Sequence, residues 1–254
     1  REHVSGLSGS VRLWYPQWLP GTHSPSGPID RFAGLSVSSG GAPLAWSRDP
    51  LDVFAFRVEL PKGAHEIDVE FDYLSPTSSR VGELELSNEI VLLEWNAVLL
   101  YPAGYYARQI PVQANLRLPA GWQSATALEL SSAEENLSHY QRTSLERLID
   151  SPVYAGRHAL RFDLDPGAAK AVHLNLFADR PENLQVKPEQ VAAYRELVRQ
   201  ADRLFGARHF AHYDFLYSLS DQVLQNGLEH AESSENGTDP DYFTAWDKSI
   251  ADRD

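Results

Sequence analysis

Along its first two thirds the chain alternates apolar and polar residues with a period of two. The segments 53–60, 67–73 and 159–164 (VFAFRVEL, IDVEFDY and ALRFDL) put an apolar side chain on every second position, which buries one face of a strand and wets the other. Turn chemistry punctuates them at Pro61-Lys62-Gly63, Leu118-Pro119-Ala120-Gly121 and Asp165-Pro166-Gly167. Residues 1 to about 180 therefore read as an antiparallel β-sandwich or saddle.

After Asp179-Arg180-Pro181 the period changes. Val191, Tyr194, Leu197, Val198, Ala201, Leu204 and Phe205 recur at spacings of three and four, which predicts an amphipathic helix. Pro188 suits its first turn, where the missing N–H has no helical partner, and Gly206 suits the left-handed position that ends it. A strand follows with Tyr213, Phe215, Tyr217 and Leu219 on one face, then a short edge segment at Gly227-Leu228-Glu229-His230, then an acidic stretch to Asp254. One helix, one strand and an edge close no core by themselves. Residues 181–254 are thus expected to be the incomplete start of a second domain, and the fold class to be mostly β followed by α+β.

Composition narrows the partners. The longest apolar runs, such as Ile90–Leu93 and Ala97–Leu100, fall far short of the roughly 20 residues a bilayer-spanning helix needs, so no membrane span is expected. Lys and Arg number 22 against 35 Asp and Glu, and the net charge of −13 repels phosphate backbones, so nucleic acid is not an expected partner. The absence of cysteine removes disulfides, thiolate metal sites and cysteine nucleophiles together. Methionine is absent too and the chain starts at Arg1, so both ends are expected to be artificial.

Three constellations could carry chemistry. The run from Leu13 to Asp30 holds four prolines, Trp14, Tyr15 and Trp18; it reads as a rigid packed loop, or as the wall of a ligand cleft, with His23 lacking any partner at a diagnostic spacing. Trp95-Asn96 and the turn around Tyr101, Tyr105 and Tyr106 offer phenol hydroxyls and flat apolar surface, suited to sugars or small polar ligands and equally to burial. At Gly227-Leu228-Glu229-His230 a carboxylate on an edge strand can bind a ligand ammonium while main-chain groups pair with an extended peptide. His209, His212 and His230 could be drawn as a metal site, but residues three apart on a strand face opposite sides. The sequons at Asn136 and Asn236 are too common a pattern to use, and no His-Glu-x-x-His, nucleophile elbow, phosphate loop or calcium loop is present.

The proline-aromatic loop, Tyr101-Pro102-Ala103-Gly104-Tyr105-Tyr106-Ala107-Arg108, Ala178-Asp179-Arg180-Pro181-Glu182-Asn183-Leu184, His212-Tyr213-Asp214-Phe215-Leu216, and Gly227-Leu228-Glu229-His230 followed by Ser233-Ser234 occur in that order. In these segments the sequence resembles the bacterial glycyl aminopeptidase family of zinc metallopeptidases, from about Leu13 to Asp254. The resemblance implies a β-saddle followed by the start of a thermolysin-like catalytic domain, in a protein that removes N-terminal glycine or alanine from peptides. It implies that Glu229 holds the substrate's free amino group, and the substrate-binding set is expected to be Glu229, Gly227, Leu228 and His230 with Tyr105 and Tyr106.

Zinc, implied for a longer parent protein, would be held there by a His-Glu-x-x-His helix; none is expected in this chain. The resemblance favours the bacterial periplasm over the cytoplasm and leaves the oligomeric state open. Two rival readings stand beside it. One is a non-catalytic β-sandwich module binding a sugar or protein through its tryptophans, and the other is a family member that has lost its catalytic half and serves as a scaffold.

Overall fold

The computed structural model describes residues 1–75 and 83–247. The chain forms two compact units, Arg1–Leu84 with Glu94–Ile110, and Glu85–Leu93 with Pro111–Asp254. Among the described residues no helix is long and apolar enough to cross a membrane.

The first unit holds two four-stranded antiparallel sheets. One runs in the order Glu2–Ser5, Glu66–Tyr73, Phe32–Ser39, Ala42–Leu44, and the other Tyr101–Pro102, Ser10–Trp14, Ala55–Glu59, Trp46–Arg48. The register pairs Val11 with Val58 and Leu13 with Phe56, so the alternation read from the sequence delivers all four to one face. They join Val37, Ile67 and Val69 from the other sheet in a single core, which makes this unit a sandwich. Each such side chain contributes roughly 1.5–3 kcal/mol on full burial. The proline-aromatic loop is packed at its two ends and open between them: Tyr15 is buried and donates from its hydroxyl to the Ala97 carbonyl at 2.9 Å, and Gly27 and Pro28 are buried, whereas Trp18 and residues 23–26 are exposed.

The second unit contains a four-stranded antiparallel sheet (Gln123–Ala125, Val153–Gly156, Ile90–Leu93, Glu85–Leu86), smaller antiparallel ladders between residues 111 and 144, and a five-stranded mixed sheet. The mixed sheet runs in the order His158–Asp163, Val172–Ala178, Tyr213–Leu219, Ser233–Thr238, Gly227–Glu229. The inner three strands are mutually parallel and both outer strands antiparallel to their neighbours. Helix Pro188–Phe205 connects two of the parallel strands. It starts with proline and with the Gln190 side chain accepting from the Lys187 N–H at 2.7 Å, and it ends on Gly206 in the left-handed conformation, φ 69°.

The boundary expected near residue 180 falls inside this sheet. Strand Val172–Ala178 lies in parallel register with Tyr213–Leu219 along its whole length, so the residues before 180 supply the core that the later ones lack. Leu174 and Leu176 from one side of that boundary meet Val191, Tyr194, Val198, Leu219 and Phe243 from the other. The helix is also less deeply seated than its periodicity implies. Val191, Tyr194 and Val198 are buried, but Leu204 is exposed, and so are Leu197 and Phe205, which line an open groove of about 440 Å³ together with Tyr213 and Phe215.

Candidate functional site

The sheet ends on Gly227–Glu229, which among the described residues pairs on one side only. Its partnering is antiparallel, Gly227 to Asn236, Leu228 to Glu235 and Glu229 to Ser234. Two flanking bonds fix which main-chain groups are used up: Gly237 donates to the Asn226 carbonyl at 2.7 Å and His230 donates to the Ser233 carbonyl at 2.9 Å. Because bonded and non-bonded pairs alternate in an antiparallel ladder, residues 226, 228 and 230 point their N–H and C=O groups inward. Those of Gly227 and Glu229 point outward, along the open edge. An extended peptide can pair with them by strand addition.

Side chains alternate likewise. Glu229 shares a face with its register partner Ser234 and with Phe215, the face covered by the helix and lined by the groove. Its carboxylate is exposed, and its charge helps to raise the pKa of Tyr213, a shift caused first by burial of that phenol and opposed by a hydrogen bond to Ser234. Leu228 lies on the opposite face, opposite Glu235.

His230 does not face the open edge. Its imidazole is wholly buried, with Nδ1 3.0 Å from Asp150 Oδ1 and Nε2 2.9 Å from Glu235 Oε1. Burial by itself pushes this ring's pKa down; the hydrogen bonds to Asp150 and Glu235, with their charges, outweigh it and hold the pKa up at about 9. It is an imidazolium donating from both nitrogens, and it has no atom left for a substrate.

The same hairpin is fastened at its tip. The Ala231 N–H donates to Asp150 Oδ2 at 3.0 Å, His209 Nε2 lies 2.7 Å from the Ala231 carbonyl, and Arg147 pairs with Glu232. Asp150 is the C-terminal cap of the short helix Leu145–Ile149, whose N-cap Ser144 accepts from the Arg147 N–H at 3.2 Å. The edge strand is thus clipped to a helix some 80 residues away in sequence. Gly237, in the neighbouring strand, is required by close approach: a Cβ there would stand 2.6 Å from the Leu224 carbonyl oxygen.

The remaining expected site residues are placed elsewhere. Tyr105 and Tyr106 belong to the first unit, both exposed, with the Arg108 guanidinium 5.0 Å from the Tyr106 ring centre. His209, His212 and His230 do not converge; each is engaged separately, His209 on Ala231, His212 on Asp214 and His230 on Asp150 and Glu235. The geometric reason differs from the one expected, because residues 207–212 form a loop and not a strand. The catalytic zinc implied by the family resemblance requires a His-Glu-x-x-His pair that this sequence does not contain, so these residues do not form that catalytic centre and no step is derived through it.

Asp150, Arg147 and Glu235, which hold the edge strand, were not legible in the sequence. Their pairing is a product of long-range topology, and the one local signal was the density of acids beside a histidine at 229–235.

Known proteins bear on this architecture. An aminopeptidase N family protein from Idiomarina loihiensis superposes with a TM-score of 0.78 at 18% identity, covering 95% of this chain and 40% of that one. Yeast LTA4 hydrolase in complex with bestatin gives 0.52 at 11% identity over 90% of this chain and 35% of that one. An M1 zinc metallopeptidase from Deinococcus radiodurans gives 0.48 at 14% identity over 93% and 53%, too low to carry an argument. At these identities the likeness is one of fold, and the chain spans well under half the length of the first of these structures. Comparison with curated proteins finds no match. The peptidase M61 N-terminal domain matches residues 2–157. With more than half of its residues so matched, the chain belongs to the peptidase M61 N-terminal domain family.

Proposed function

We propose that this chain is the N-terminal portion of a zinc metallo-aminopeptidase, with the edge strand Gly227–Glu229 as its peptide-recognition element. The observation that carries the reading is the open edge itself: two residues with outward main-chain groups, an exposed carboxylate between them and the groove, and a buried clip behind. A peptide laid antiparallel on that edge would place its ammonium against Glu229, and an ammonium–carboxylate pair fixes where the chain is cut by counting from the free end. Small first residues, glycine or alanine, are the substrates we infer from the resemblance.

Membership of the M61 N-terminal domain family and the fold likeness to an aminopeptidase N family protein support the peptidase setting. In the longer protein the metal would polarise the scissile carbonyl and activate a water. This chain's residues would bind and orient the peptide. The test is to express the longer protein, measure its zinc content after dialysis, and assay release of N-terminal residues from short peptides. About one retained zinc with amine-dependent cleavage supports the reading; a metal-free protein without peptidase activity refutes it.

A further inference from the structure

His173 and Asp214 are register partners on adjacent parallel strands, and His212 stands just ahead of the second of these strands. One ligand atom from each of the three lies within 4.8 Å of the other two. We propose that His173, His212 and Asp214 form a binding site for a divalent transition-metal ion of the zinc class, separate from the catalytic zinc of the proposed peptidase. Two imidazoles and one carboxylate suit such ions, and three protein ligands leave a coordination position for water.

Four features distinguish this group from an ordinary buried ion pair. His173 Nδ1 and Asp214 Oδ1 are 3.4 Å apart, about the ~3.3 Å that two ligands subtend across a tetrahedral ion with bonds of ~2.0–2.1 Å. That His173 nitrogen is buried with no close hydrogen bond, the Asp214 carboxylate at 3.4 Å being its one charged neighbour given by the structure, and the hydroxyl of Ser233, wholly buried opposite Asp214 in the register, has no hydrogen-bond partner. Groups behind the ligands are already placed to orient them. Asn175 Nδ2 donates to Asp214 Oδ1 at 2.9 Å, and Glu129 Oε1 lies 3.4 Å from His212 Nε2, leaving His212 Nδ1 to face the centre. A carboxylate behind a ligating histidine is the arrangement that fixes the ring's tautomer. Finally, Asp214 is 1% exposed while both histidines are only partly buried, which gives an ion an entry path.

Binding requires two rearrangements. His212 Nδ1 and Asp214 Oδ2, 2.6 Å apart, must separate as the ion replaces the proton between them, and that proton leaves to solvent. Arg161, 3.9 Å from Asp214 and half-exposed, must withdraw.

The experiment uses this chain as it stands, freed of metal with a chelator and titrated with Co²⁺ by absorption and with Zn²⁺ by calorimetry. One equivalent should bind. His173→Gln and His212→Gln should each weaken binding by at least tenfold, and Asn175→Ala by about 10–100-fold through the orienting shell. His209→Gln, at an exposed histidine outside the group, should leave metal binding unchanged. Circular dichroism of each variant excludes unfolding; both histidines are only partly buried, so neither glutamine variant empties a core position. No binding, or binding indifferent to both ligand variants, overturns the proposal and leaves His212 simply held between Asp214 and Glu129.

Discussion

Replacing His230 by glutamine tests how the edge strand is held. In the native protein the imidazolium bridges Asp150 and Glu235 at 3.0 and 2.9 Å with its ring wholly buried. Its pKa stands at about 9 when folded, against the 6.5 of a free histidine. A gap of that size corresponds to ~3 kcal/mol of stability. The sign follows from the folded pKa being the higher one. The contribution is fully present below about pH 6.5, fades as pH rises, and is gone once pH passes about 9. Glutamine offers only one donor group and sets its carbonyl oxygen against the second carboxylate, so both acids lose a cationic partner.

Urea unfolding of the second unit should show His230→Gln weaker by ~3 kcal/mol near pH 6 and close to native stability near pH 9.5. Native and mutant curves that stay parallel across this range would show that His230 is neutral in the folded protein, and the clip would then be an ordinary pair of hydrogen bonds.

Leu174→Ala, at a fully buried position under the helix, should cost ~2–5 kcal/mol and lower Tm in calorimetry, whereas Leu204→Ala at an exposed position on the same helix should stay within ~0.5 kcal/mol. Gly237→Ala forces a Cβ to 2.6 Å from backbone oxygen, so it should destabilise by more than 2 kcal/mol, roughly, and speed amide exchange across Gly227–Thr238; Gly206→Ala, open to solvent with φ 69°, should cost only ~1 kcal/mol. Saturating Zn²⁺ should raise the Tm of this chain and not that of His173→Gln, as linkage to the proposed metal group demands.

The elements were legible wherever local periodicity decides the structure. Helix Pro188–Phe205, with its proline start and glycine stop, and strand Tyr213–Leu219 stand where the pattern puts them, although the strand, central in its sheet, is buried on both faces and not on the aromatic face alone. The sheet order was not legible. Nothing local tells Val172–Ala178 that its parallel neighbour lies beyond an 18-residue helix, and so the expected boundary at 180 cut a core in two. The candidate site divides the same way. Glu229 on an edge could be read from Gly-Leu-Glu-His, but His230, one residue on, points to the opposite side of the strand and serves as a buried cation. Its partner Asp150 and the pairing of His173 with Asp214 arise only when distant strands and a short helix meet.

The proposed recognition of a free amine by Glu229 is tested most directly by kinetics in the longer protein. An ammonium–carboxylate pair in a partly dry site is worth on the order of 2–4 kcal/mol, so Glu229→Ala should lower kcat/KM for glycyl or alanyl peptides by roughly 30- to 1,000-fold, with fold and zinc content unchanged. N-acetylated peptides, which have no ammonium to offer, should be poor substrates for native enzyme and mutant alike. Equal losses on free and acetylated peptides, or a loss within ~0.5 kcal/mol on both, would contradict the assignment of Glu229 to the substrate's amino group.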